Sequence, residues 1–241
     1  MRRFLTFTAL AALAIWGVFA FGARGDAGWL RLENGLELRT LTRRSGFSTQ
    51  TITAIRAPAN RVHIGSNALL RAPDWVKKRD AVAAINGGYF DDKSQAIGLR
   101  IAEGKRTSNF YRKANWGVFV IRDDKAAITH TRDYKGSPRT QEAMQCGPRL
   151  VVDGRVTDLK PQWARRSGIG INANGEVILA VSDGALSFDE WAAIWADQSG
   201  LNCRDAINLD GGPSTQMSVI SAKHPVAVRG GWPVPDAILV R

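Results

Sequence analysis

Two cysteines and three histidines are all that this chain of 241 residues offers in soft or imidazole ligands. Cys146 and Cys203 form no Cys-x-x-Cys pair, and His63, His130 and His224 are scattered without metal-ligand spacing. No zinc site, and more generally no metal or cofactor, is therefore expected. There is no Gly-x-Ser-x-Gly elbow, which removes support for a serine hydrolase. Internal repeats and low-complexity linkers are also missing, so one compact domain is the default. Acidic residues are few against basic ones, 22 to 33, for a net charge of +11. That balance suits a polyanionic partner or a solvated basic face.

The N-terminus has a distinct character. Met1-Arg2-Arg3 precedes an apolar run from Phe4 to Phe21, followed by small and polar residues, the order of an export signal. Cleavage after Ala20 or Ala23 fits, with Val18-Phe19-Ala20 preferred. An uncleaved anchor is the alternative, since the run is near the lower limit for spanning a bilayer. The expected organisation is thus a signal or anchor over 1–23 and a domain over 24–241. Export places the protein in the periplasm or outside the cell, either free or membrane-anchored by the N-terminal segment. It sets nucleic acid aside in favour of phosphorylated glycans, with peripheral contact to an anionic membrane surface also open. An oxidising compartment leaves open whether Cys146 and Cys203 pair.

Short β-branched segments punctuated by Gly, Asn and Asp dominate the rest. The expected fold is α+β: a strand-rich single domain with a few short helices packed on mixed or antiparallel sheet. Leu36 to Thr42, Thr49 to Ile55 and Arg61 to Ile64 alternate as half-buried strands. Pro73 opens a short helix. Trp116 to Ile121 and Ala127 to Thr131 form a hairpin around Asp123-Asp124, and Gly168 to Ser182 forms another around Asn174-Gly175. Ser187-Phe188-Asp189-Glu190 reads as a capping box, with Phe188, Trp191, Ala192 and Trp195 on one core-facing stripe before Gly200 stops the helix. Ser214 to Ile220 reads as a strand.

Two segments carry the chemical interest. Ala81 to Ile85 and Ala206 to Leu209 are short apolar strands, each ending on a Gly-Gly turn: Asn86-Gly87-Gly88-Tyr89-Phe90-Asp91 and Asn208-Leu209-Asp210-Gly211-Gly212. Such a turn delivers a polar side chain at a strand end and then exposes backbone N–H groups, so it can hold an anion. One occurrence is an ordinary hairpin connector; two suggest strand ends converging on one site. Arg149, Arg165 and Arg166 supply positive charge nearby in sequence. Arg149 itself opens a strand leading to the Asp153-Gly154 turn, which reads as a tight hairpin.

Taken together, Asn86 to Asp91, Gly147-Pro148-Arg149-Leu150-Val151-Val152-Asp153-Gly154, Arg166-Ser167-Gly168-Ile169-Gly170-Ile171 and Asn208-Leu209-Asp210-Gly211-Gly212-Pro213-Ser214-Thr215 resemble, in this order, the signature blocks of the phosphodiester glycosidase family. Ser167-Gly168 stands where that family commonly has Thr-Ala, and Pro213 where it has a small residue. The resemblance implies an enzyme that hydrolyses the C1–O bond of a sugar-1-phosphodiester. A phosphate monoester, with a second pKa of about 6, leaves far more readily than an alkoxide, so a cationic clamp can replace much of the proton donation. On this reading Arg166, with Arg149 as second candidate, holds the phosphate while Gly87, Gly88, Gly211 and Gly212 present backbone donors. Asp210 activates water or stabilises the oxocarbenium charge, and Asn86 and Tyr89 orient the substrate. Asp183 is the reserve base, and Ser214 is placed to contact phosphate. Each has a structural alternative: Asp210 and Asn86 as turn caps, Arg166 as a surface ion pair, Tyr89 as core. Two other functions share the features: a phosphodiesterase that cleaves P–O, normally with metal ions, and a non-catalytic module binding anionic polysaccharide through basic residues and exposed tryptophans.

Overall fold

The computed structural model describes residues 28–45 and 48–241. The expected signal or anchor lies outside the described residues. Among them, no helix is long and apolar enough to cross a membrane.

Three sheets, antiparallel in every pairing, are built from the short strands that the alternation foretold. The largest has eight strands, with Glu37–Ser45, Ser48–Ala57, Val177–Leu186, Ala164–Asn172 and Cys203–Asn208 as consecutive neighbours. A second, five-stranded sheet is centred on Thr140–Cys146 between Arg100–Ala102 and Gly117–Arg122. The third places Ala83–Asn86 between Met217–Val219 and Ala237–Val240. The three share one core: Ile55, Ile169, Leu179 and Ile207 from the first meet Phe119 and Met144 from the second and Ile85, Met217 and Ile238 from the third.

Alternation assigns each strand's two faces. Along Val177–Leu186, Val177, Leu179 and Val181 enter that shared core, whereas Ile178 and Ala180 point the other way. The helix Phe188–Ala196 covers this opposite face with Trp191 and Trp195, both wholly buried as the stripe required. Its capping box is present, Ser187 accepting from the Glu190 N–H. The Trp195 ring lies where Cβ atoms on Gly168 and Gly170 would meet it at 2.7 and 2.8 Å, so side chains there would displace the helix. The second helix, Ala72–Lys78, has Pro73 in its first turn and buries Trp75 against the third sheet.

Both hairpins form. Asp123 and Asp124 take φ of 48° and 58°, the pair that a tight two-residue turn needs, and the Asp153-Gly154 connection does the same at 48° and 76°. Two local expectations are corrected, and the state of the cysteines, left open by the sequence, is given. Helix Phe188–Ala196 ends before Gly200, where the Asp197 N–H caps the Ala193 carbonyl. Ser214 does not start a strand: Gly212–Ser214 is a 3-10 turn imposed around Pro213, and the strand begins at Met217. Cys146 and Cys203 are free thiols in separate apolar clusters, and burial pushes the Cys146 thiol up to about 12.

Candidate active site

The strand Ala83–Asn86 and the strand Cys203–Asn208 end beside one another, which brings the two Gly-Gly turns into contact. One side chain makes the junction. Asn86, 1% exposed, donates from Nδ2 to the Asp210 carbonyl at 2.7 Å and to that of Gly87 at 3.2 Å. Its Oδ1 accepts from Ser167 Oγ at 2.7 Å and from the Gln216 N–H at 3.2 Å. The Asp210 N–H in turn donates to the Gly87 carbonyl at 3.2 Å. The amide of Asn86 is therefore fully hydrogen-bonded within the protein.

Gly87 and Gly88 are equally engaged. The Gly87 N–H donates to the Asp236 carbonyl at 3.0 Å, and the Gly88 N–H to Asp236 Oδ1 at 2.9 Å. A Cβ on Gly87 would lie 1.8 Å from Asp236 Oδ1, and one on Gly88 2.3 Å from Arg100 Nη2. What this Gly-Gly turn accommodates is a buried ion pair, Arg100 Nε to Asp236 Oδ2 at 2.8 Å. Arg100 spends its other nitrogens on carbonyls, including Gln145 at 2.9 Å and Tyr89 at 3.3 Å. Burial raises the Asp236 carboxyl above the ordinary range, against the pull of Arg100 and the Gly88 N–H.

The second turn presents its carboxylate differently. Asp210 is partly buried, and burial, helped by the charge of Asp236, raises its pKa above the usual carboxylate range. The Ser214 hydroxyl and the Gly211 N–H, 2.9 Å from Oδ1, oppose that shift by hydrogen bonding to the charged form. Ser214 Oγ also accepts from the indole N–H of half-exposed Trp232 at 3.0 Å. Since that indole can only donate, the serine proton is left for Asp210. Gly212 takes φ 59° and has open space where a Cβ would stand.

Tyr89 packs on Trp116 at 5.1 Å between ring centroids and donates its hydroxyl to the Gly147 carbonyl at 2.7 Å. Burial chiefly, with Cys146 and Asp210 adding, lifts the phenol well above its ordinary range, so it is neutral. Asn208 Nδ2 reaches the same hydroxyl at 3.3 Å, and its Oδ1 is buried with no hydrogen-bond partner. Arg166 is 3% exposed and is no surface ion pair. Its Nε donates to the Leu186 carbonyl at 3.0 Å, Nη2 to that of Gln162, and the guanidinium lies 3.7 Å above the Phe188 ring. Burial lowers it to about 10, which leaves it a cation at neutral pH. Nη1 is the nitrogen without a protein partner among the described residues.

The side chains of two candidates share no hydrogen bond with this cluster among the described residues. Arg149 runs beside Gly117 and acts electrostatically on His130. Asp183 is exposed, accepting the Thr51 N–H at 2.7 Å. Among the described residues, no group of three or more His, Cys, Asp or Glu could hold a metal ion. Sequence reasoning passed over Arg100, Asp236, Asn208 as a site residue, and Trp232. The apolar run Ala237 to Val240 was a readable strand, and Asp236 stands at its start in register with the strand that ends in Asn86.

Comparison with known proteins gives the family and the fold. A family model described as phosphodiester glycosidase matches residues 79–241, a stretch that takes in both Gly-Gly turns and the C-terminal strand, and the chain belongs to that family. Its fold is similar to the zebrafish N-acetylglucosamine-1-phosphodiester alpha-N-acetylglucosaminidase catalytic domain, described as auto-inhibited by its pro-peptide: TM-score 0.68 at 20% identity, over 86% of this chain and 82% of that one. A hypothetical protein from Synechocystis gives a TM-score of 0.59 at 16% identity, over 86% and 62%. A putative exported protein from Burkholderia pseudomallei gives 0.57 at 13%, over 80% and 74%. The uncharacterized protein YigE of Escherichia coli K12 is 30% identical over 141 residues, 53% of this chain and 54% of that protein. The chain thus spans about half the length of the curated relative it matches.

Proposed function

We propose that this chain is an exported hydrolase that cleaves the C1–O bond of a sugar-1-phosphodiester in a phosphorylated glycan or glycoconjugate. The observation that carries the reading is Asp210: a partly buried carboxylate at the end of the second Gly-Gly turn, held by Ser214 and Gly211, with its pKa raised by burial. Such a group is a stronger base than an ordinary carboxylate and is suited to accept a proton.

In the reaction, water adds to C1, its proton passes to Asp210, and the C1–O bond electrons leave with the phosphate monoester. Arg166 Nη1 meets the phosphate charge as it develops. Tyr89, neutral and fixed on Gly147, and Asn208, with a free buried acceptor, orient hydroxyls of the sugar or the attacking water. Asn86, Gly87 and Gly88 act as positioning residues by holding Asp210 against the Asp236 side of the site. Ser214 tunes Asp210 rather than touching phosphate. The N-terminal charge-apolar-small pattern supports export, with the domain running from 24 to 241, and the basic surface supports an anionic substrate or a nearby anionic membrane. Screening the purified mature chain against sugar-1-phosphodiesters, with and without chelator, tests the proposal. Release of free sugar that chelation leaves intact is expected. No turnover of any such diester, or turnover abolished by chelation, would count against it.

A further inference from the structure

Arg100 and Asp236, the pair packed on the Gly87-Gly88 turn, line a cleft of about 680 Å³, within the size range of small-molecule sites. The structure assigns this cleft, we propose, to an uncharged saccharide, the glycan part of the substrate beyond the sugar phosphate. The identification of the saccharide as substrate rests on the reading above; the binding of neutral sugar does not.

Charge is the first argument. In a protein of net charge +11, the only Asp, Glu, Lys, Arg or His among the described residues lining this cleft are Arg100 and Asp236, and each neutralises the other at 2.8 Å. A phosphate would find no free cation here. The second argument is the chemistry of the walls. The side-chain amides of Asn67, Gln95 and Asn109 line the cleft, and no hydrogen bond to the protein occupies them among the described residues. Each amide sets a donor beside an acceptor, which matches adjacent hydroxyls of a pyranose. Thr107 adds a buried hydroxyl oxygen with no partner. Tyr111, 45% exposed, offers a ring surface for the C–H face of a sugar.

The platform is fixed in advance. Fully buried Gln145 holds Tyr111 at both backbone groups, accepting its N–H at 2.9 Å and donating to its carbonyl at 2.9 Å. The tyrosine ring also packs edge-on to Trp116 at 5.8 Å. Ordering that is complete before binding is not charged against affinity. The cleft is also coupled to the reaction site through one turn: Asp236 takes the Gly88 N–H, while Gly87 takes that of Asp210.

The test is titration of the mature chain with cello-, malto- and chito-oligosaccharides, followed by calorimetry and NMR at low and high salt. At least one series should bind, with an affinity that changes less than about twofold with salt, because no free charge is engaged. Tyr111→Ala and Asn109→Ala should each weaken it by about tenfold, equivalent to about 1.4 kcal/mol. Both side chains are exposed enough for the variants to fold. Binding by none of the series, binding that high salt abolishes, or unchanged affinity in both variants overturns the assignment. Saccharide binding without hydrolysis of any sugar-1-phosphodiester would instead overturn the proposed reaction alone. Hydrolysis without saccharide binding would overturn the cleft alone.

Discussion

Asn86 and Asp210 stand 124 positions apart in the sequence, yet Asn86 Nδ2 donates to the Asp210 carbonyl at 2.7 Å. The same side chain takes hydrogen bonds from Ser167 and Gln216, so one amide couples two sheets and both turns. Asn86→Ala leaves several buried groups unsatisfied at once. A loss of about 3 kcal/mol is expected, at roughly 1–3 kcal/mol for each unpaired buried group after partial relaxation. Denaturant unfolding measures it; an unchanged midpoint would mean that the amide holds nothing.

Asp210→Asn should separate stability from turnover. Between the ordinary carboxylate value and its raised folded value, native Asp210 binds more protons than the unfolded chain does. Stability therefore falls as pH rises through that window, and above it the ionised group is a standing cost. Removing the charge should leave the unfolding midpoint at neutral pH unchanged or higher, while turnover drops by roughly 10²–10⁴-fold. A variant that unfolds easily, or one that turns over normally, would remove Asp210 from the role given to it.

The pH profile offers a finer check. The Ser214 hydroxyl stabilises charged Asp210, so its removal raises the Asp210 pKa further. In Ser214→Ala, the acid limb of kcat against pH should move to higher pH. Trp232→Phe should move it less, because the serine keeps its proton donor while losing the indole that directs it. An acid limb that stays in place in Ser214→Ala would show that another group titrates.

The Arg100 and Asp236 pair supports the first turn from below. Asp236→Ala would strand a wholly buried guanidinium and the Gly88 N–H together, a loss of about 3–5 kcal/mol. Gly88→Ala should destabilise through the close approach of Arg100. Thermal unfolding of both variants checks this, and wild-type stability in Asp236→Ala would contradict it.

Strand alternation, the tight turns, the capping box and the two Gly-Gly turns were all legible in the sequence, because each depends on residues close together in the chain. The convergence of Asn86 and Asp210 on one place was legible as well, since both follow short apolar strands. What the Gly87 and Gly88 N–H groups bind was not. Their partner Asp236 is almost 150 positions away, and nothing local distinguishes a turn that holds an external anion from one that holds the protein's own carboxylate. The setting of Arg166 was not legible either. A guanidinium buried on carbonyls and the Phe188 ring looks, in sequence, like any other arginine in a basic chain. Asp236 is a partner distant in the chain, and the Arg166 partners Leu186 and Phe188 lie across a strand connection, so neither environment shows in the local pattern.

The reaction itself is tested most directly by turnover in ¹⁸O-labelled water, with both products examined by mass spectrometry. Attack at C1 places the solvent oxygen on the released sugar and leaves the phosphate monoester unlabelled. Label on the phosphate, with none on the sugar, would mean P–O cleavage and would contradict the account.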